Sequence, residues 1–145
     1  MSVNAFYPHV SVDCVIMGFD GYSLNVLLLK RAGKEGDVFY PDMKLPGSLI
    51  YSDEDLDRAA QRVINDLFIS RGLFIRQFHS FGSPDRTSNP RDIQWLEDAV
   101  KLKIDRIVTV GYLALCWIDK RMRFKSEEVE AIWLPVHQVS QLAFD

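Results

Sequence analysis

The chain has 145 residues, with 17 lysines and arginines against 20 aspartates and glutamates, for a formal net charge of −3 at pH 7. That length supports one self-contained core, burying about 68–70% of the unfolded surface. The acidic balance argues against duplex DNA as a partner of this chain alone, since duplex binding draws on lysines and arginines that neutralise phosphates. No apolar run approaches the ~18 residues of a membrane span, and the N-terminus lacks the basic-then-apolar order of a signal peptide.

Two apolar, β-rich runs, Val10 to Gly18 and Leu24 to Arg31, predict strands joined at Asp20-Gly21, a hairpin signal in which Gly21 takes positive φ without steric cost. Asp53 to Ile69 then predicts a helix. Its residues Leu56, Ala59, Ala60, Val63, Ile64, Leu67 and Phe68 recur at helical spacing as an unbroken apolar stripe. Ser52 or Asp53 can cap it, and acidic residues occupy the first turn, where the helix dipole favours them.

Ser83 to Ile104 is less regular. Pro84, Thr87, Ser88, Asn89 and Pro90 indicate a loop, and Asp92 to Lys103 can hold a short helix. Connections this long in a compact domain are often functional. Arg86 and Arg91 stand where an anionic or polyol ligand could receive forked hydrogen bonds, although an exposed arginine is by default a solubilising one. Further on, Lys120 to Lys125 packs four cations into six residues. A solvated hairpin tip is its simplest reading, and contact with a nucleic-acid backbone or another domain is the functional one. Cys14 and Cys116 fall in predicted strands and read as reduced core thiols of a cytoplasmic protein, with a disulfide as the alternative. His9, His79 and His137 show no metal-ligand spacing, and there is no glycine-rich phosphate loop.

Lys44-Leu45-Pro46-Gly47-Ser48, leading to Glu54, Arg62 and Asp66, resembles the Nudix box, G-x5-E-x7-R-E-U-x-E-E-x-G-U with U an apolar residue. With Ser48 in the place of the glycine, five residues reach Glu54 and seven more reach Arg62. The first metal-binding glutamate then falls on Val63, the following pair on Asp66 and Leu67, and the late glycine on Ile69. In that family the helix presents carboxylates to magnesium or manganese, which polarise a diphosphate and activate water. Positions 63, 66 and 67 share one helix face, and hard divalent ions require oxygen ligands. One carboxylate stands where the family has three, so metal-assisted hydrolysis by the usual route is not expected.

The resemblance extends along nearly the whole chain. Phe81-Gly82-Ser83-Pro84-Asp85-Arg86, followed by Ile107 to Leu115, looks like the loop and strand of ADP-ribose pyrophosphatase-type members. Val129 to Val136 and the residues after it look like the closing strand and helix. The match is closest to the sensor domain of Nudix-related transcriptional regulators, through Leu45-Pro46-Gly47-Ser48-Leu49-Ile50, the eroded glutamates and Phe78 to Pro90. It implies an α/β fold, the Nudix α/β/α sandwich with a mixed β-sheet, spanning residues 1–145. The Asp53–Ile69 helix is expected on one side and a Pro135–Leu142 helix on the other.

The resemblance also implies a ligand pocket near Lys44, Glu54, Ser83, Asp85 and Arg86, a homodimer, and DNA contact only through a winged-helix domain. The chain stops about where such a Nudix domain ends, so that domain is expected to be absent, in a truncated product or a free-standing domain. Two functions stay open: a non-catalytic domain sensing a sugar or ADP-ribose-like effector without a cofactor, or a divergent hydrolase of nucleoside diphosphate derivatives. The hydrolase would use Glu54, Asp66 and an acid such as Asp85 or Glu97, with weakly held magnesium or manganese.

Overall fold

The computed structural model describes residues 5–30, 43–67, 73–87, 89–118 and 130–139. Strand β1 (Phe6–Phe19) is the spine of a seven-stranded mixed sheet. After the Asp20-Gly21 turn, β2 (Leu24–Lys30) returns antiparallel to it. The turn forms as the sequence predicts: Gly21 has φ +101°, and the Asp20 carboxylate accepts from the backbone N–H groups of Tyr22 and Ser23 at 2.8 and 2.9 Å.

Strands β3 (Met43–Lys44) and β7 (Ala131–Pro135) both pair with β2, and β4 (Gly47–Tyr51) pairs with the first half of β1. The β1–β4 register shifts between Phe6 and Ser11, around Pro8, which has no N–H to give to a ladder. On the other side of β1, β6 (Val108–Trp117) runs parallel from Val10–Val108 to Phe19–Trp117. β5 (Ile75–Phe81) completes that edge antiparallel to β6.

Alternation along β1 sends its side chains to two different environments. Val12, Cys14 and Ile16, with Val110, Tyr112 and Ala114 of β6, pack against helix α1 (Leu56–Leu67) through Ala59, Ala60, Val63, Ile64 and Leu67. The Tyr112 hydroxyl donates to Asp57 of α1 at 2.5 Å, and the Cys14 thiol, pushed up to about 12 by burial and then by the nearby Asp13 charge, lies 3.8 Å from the Ala60 carbonyl. Both cysteines are free thiols. The opposite face carries a smaller cluster, Leu49, Ile104 and Ile107, closed by Ile93, Leu96 and Val100 from helix α2 (Pro90–Val100).

Helix α2 (Pro90–Val100) is the second outer layer. Asn89 caps it by accepting from the Arg91 N–H at 3.0 Å, Pro90 opens its first turn, and Lys101 ends it in the left-handed region at φ 58°. The expectation of Asp92 to Lys103 was therefore shifted toward the C-terminus. A second correction concerns the far layer, where a Pro135–Leu142 helix was expected. Pro135 closes β7, Val136–Gln138 form a single 3-10 turn, and Leu142 lies outside the described residues. α1 also starts later than Asp53. Its cap is Asp55, whose carboxylate accepts from the Arg58 N–H at 2.8 Å, rather than Ser52 or Asp53. Ile69, Ser88 and Lys120 to Lys125 lie outside the described residues. No helix among those described is long and apolar enough to cross a membrane.

Candidate functional site

The residues matching the box build a clamp between β4 and α1. The Arg62 guanidinium donates to Glu54 through Nη2 at 2.6 Å and Nε at 3.1 Å, to the Leu49 carbonyl at 3.2 Å, and to the Ser48 hydroxyl at 3.3 Å. Glu54 Oε1 also accepts from the Tyr51 N–H at 2.8 Å, and the Arg62 guanidinium lies 4.3 Å from the Tyr51 ring centroid. Burial alone would raise the Glu54 carboxyl, but the Arg62 and Tyr51 hydrogen bonds outweigh it and hold it below its ordinary value. The pair is mostly shielded from solvent, and its forked geometry is the strong kind of charge-assisted contact.

Val63 and Leu67 are 7% and 6% exposed and belong to the main core, while Asp66 is exposed. Both Glu54 oxygens are engaged by Arg62. Among the described residues no group of three or more histidine, cysteine, aspartate or glutamate side chains is placed to hold a metal ion. The donors on this helix therefore do not fit the divalent cation that the box resemblance brings to mind.

The cavity lies on the other face of the sheet. Its volume is about 520 Å³, between the sheet and α2, within the usual range for small-molecule sites. Ser11, Asp13 and Val15 of β1 form the floor beside Thr109 and Gly111 of β6, and the register sets Ser11 opposite Thr109 and Asp13 opposite Gly111. Trp95, Leu96 and Ala99 of α2 face them, and Phe78 and Phe81 of β5 form a side wall.

Two glycines shape this space. A Cβ on Gly111 would come within 2.8 Å of the Phe78 ring, so its absence lets that ring lie across β6. A Cβ on Gly47 would collide with the Asp13 carboxylate and come within 2.8 Å of the Val12 carbonyl. The irregularity in β5 between Gln77 and His79 also contributes. Three positions apart on a regular strand, Phe78 and Phe81 would face opposite ways. The bulge adds a residue and turns both rings to one face, 6.2 Å apart edge to face.

Polar groups are few and converge. Arg86, from the 3-10 turn Pro84–Thr87, donates through Nη1 to the Thr109 hydroxyl at 2.9 Å, and that hydroxyl is 2.7 Å from the Ser11 hydroxyl. The Arg86 guanidinium is 5.7 Å from the Phe81 ring centroid. Lys44 donates to the Leu45 carbonyl at 2.9 Å, and its ammonium stands 5.9 Å from the Trp95 ring centroid. Between these cations, burial pushes the Asp13 carboxyl above its ordinary value, and the charges of Lys44 and Arg86 partly offset the rise.

Of the residues predicted from sequence, Lys44 and Arg86 line this cavity. Glu54 is held in the Arg62 clamp, and Ser83 and Asp85 sit exposed on the turn that carries Arg86, outside the lining. Arg91 is exposed at the start of α2. Asp13, Ser11, Thr109, Trp95 and the two phenylalanines were not singled out from sequence. The available signal was the period-2 placement of polar Ser11 and Asp13 between Val10, Val12 and Cys14.

No protein-family model matches the chain, and no curated protein matches it by sequence. Solved structures do. The Nudix domain of Shewanella oneidensis NrtR, complexed with ADP ribose, aligns over 96% of this chain and 81% of its own at 25% identity and a TM-score of 0.68. S. oneidensis NrtR itself aligns at 23% identity and a TM-score of 0.68 over 94% of this chain, which spans only 57% of NrtR's length. NrtR has also been solved with a 27mer DNA. A MutT/nudix family protein from Enterococcus faecalis matches at 26% identity and a TM-score of 0.60, over 93% of this chain and 46% of its own. The chain has the Nudix fold, and its structural neighbours include a protein solved with ADP ribose and with DNA.

Proposed function

We propose that this Nudix-fold chain is the effector-binding domain of a transcriptional regulator, taking a sugar or ADP-ribose-like metabolite into the cavity between the sheet and α2 without hydrolysing it. The observation that carries this reading is the separation of the two regions. The helix matching the box has turned two of its three carboxylate positions into core, while a cavity of ligand size with convergent polar groups lies on the opposite face of the sheet. The ADP ribose complex of the NrtR Nudix domain supports the ligand class. The regulator's DNA contact would come from a winged-helix domain beyond this chain, in a cytoplasmic homodimer.

The divergent-hydrolase alternative would need Glu54, Asp66 and Asp85 or Glu97 to act together. Glu54 is engaged by Arg62, Asp66 and Asp85 are exposed, and Glu97 accepts from the Ile104 N–H at 2.7 Å. No observation draws these acids to one point.

A thermal-shift screen of pentoses, hexoses, ADP-ribose and dinucleotides tests the reading, because a ligand stabilises the native state by mass action, by about 2.7 kcal/mol at a hundredfold excess over Kd, and so raises the melting temperature. A hit should survive chelation of divalent ions and weaken in Arg86→Ala. The same samples should show no magnesium- or manganese-dependent turnover of ADP-ribose. Multiple-turnover hydrolysis abolished by Glu54→Gln would replace this reading with the hydrolase.

A further inference from the structure

Asp13 is the one carboxylate lining the cavity among the described residues, and the fold is arranged around it. It sits on the β1 strand at the floor, opposite Gly111, with Gly47 of β4 lacking the Cβ that would displace its carboxylate. Lys44 and Arg86 approach electrostatically from two other elements, and the hydroxyls of Ser11 and Thr109 lie one step along the same face. An ionised carboxylate only accepts hydrogen bonds, so a ligand reaching it must bring donors. Flanking cations disfavour a cationic donor, which leaves neutral O–H and N–H groups, and the hydroxyl-lined floor of Ser11 and Thr109 beside Asp13 suits a polyhydroxylated ligand among these. Two adjacent hydroxyls match the two oxygens of a carboxylate, and the aromatic walls of Phe78, Phe81 and Trp95 suit the apolar faces of a ring.

We propose that Asp13 is the specificity-determining residue of the cavity, selecting ligands that present a pair of adjacent ring hydroxyls, as a pentose does. This rests on the effector-pocket reading above and adds the group by which the pocket discriminates. Ser11 and Thr109 extend the same polar line, and Gly47 keeps the carboxylate in place. A site built to hydrogen-bond a ligand hydroxyl rejects the analogue that lacks it, because its own polar group is left unpaired on binding.

The test is calorimetric titration of the whole 145-residue chain with D-ribose, L-arabinose, ADP-ribose and methyl β-D-ribofuranoside, and with methyl 2-deoxy-β-D-ribofuranoside, whose locked five-membered ring keeps a single ring hydroxyl, as the probe lacking the pair. The wild-type chain should bind at least one hydroxylated probe and hold methyl 2-deoxy-β-D-ribofuranoside at least tenfold more weakly than methyl β-D-ribofuranoside. Asp13→Ala should abolish that preference, and Asp13→Asn, which keeps one acceptor, should reduce it. If a hydroxylated probe binds Asp13→Ala as tightly as wild type, the role of Asp13 falls while the pocket reading stands. If no hydroxylated probe binds the wild-type chain at millimolar concentration, the pocket reading falls and this proposal with it. Should Asp13→Ala lose its far-ultraviolet circular dichroism, the wild-type comparison decides alone, and equal affinity for the two methyl furanosides overturns the proposal.

Discussion

A carboxyl group at the floor of a mostly apolar cavity works against the fold that holds it, and at Asp13 the sign of that conflict can be worked out. Burial raises its native pKa above the ordinary 3.8, with Lys44 and Arg86 offsetting only part of the rise. A carboxyl whose pKa is higher in the native state than in the unfolded one favours folding while protonated and disfavours it once ionised. The penalty is absent below pH 3.8 and is established as pH rises through the native value. Asp13→Asn should therefore melt at a higher temperature than wild type at pH 7, with the gap closing as pH falls toward 3.8. Glu54 has the opposite sign, its native pKa being lowered, so its contribution is present above 4.5 and lost as pH falls through the native value. It titrates identically in both proteins and cancels in the difference. Melts of the two proteins at each pH from 4 to 8 check this; a lower melting temperature for Asp13→Asn at neutral pH would show that the flanking cations outweigh burial.

Helix α1 shows how one element can keep the outline of a motif and change its use. Its apolar stripe gave the helix from sequence because 3.6-residue periodicity reports a buried face directly. The start was misplaced for a local reason: Ser52, Asp53 and Asp55 are all capping types, and which side chain turns back to the helix depends on Glu54 being drawn away to Arg62 and Tyr51. Strands β3, β4 and β5 were not legible. β3 has two residues and no period to read, and β5 has a bulge and an edge position that break alternation. The aromatic wall of the cavity was hidden for the same reason, since it needs Phe78 and Phe81 on one face, whereas Lys44 and Arg86 of its lining were expected. Within α1, Leu67 and Asp66 are adjacent in sequence but opposite in environment. Leu67→Glu places an unpaired charge in the core and should destabilise by about 3 kcal/mol or more, whereas Asp66→Ala should stay within about 0.5 kcal/mol. Urea denaturation of both variants distinguishes them, and an unchanged midpoint for Leu67→Glu would remove α1's third carboxylate position from the core.

At the scale of the whole molecule, the long parallel pairing of β1 with β6 separates two faces that carry different work, a core under α1 and a cavity under α2. The two cations lining the cavity are engaged near Asp13, Thr109 and the Leu45 carbonyl, and the chain as a whole carries −3. Duplex affinity falls steeply with salt in proportion to the phosphates neutralised. The isolated 145-residue chain should therefore give no anisotropy change with a fluorescein-labelled duplex at physiological salt, with or without effector. The cationic run Lys120 to Lys125 is the feature of the sequence best able to defeat this expectation. Its involvement would appear as micromolar binding whose logarithm falls linearly with the logarithm of salt concentration and whose slope shrinks when Arg121 and Arg123 are changed to alanine. That result would move nucleic-acid contact into this domain; a flat titration leaves recognition of DNA to a domain outside it.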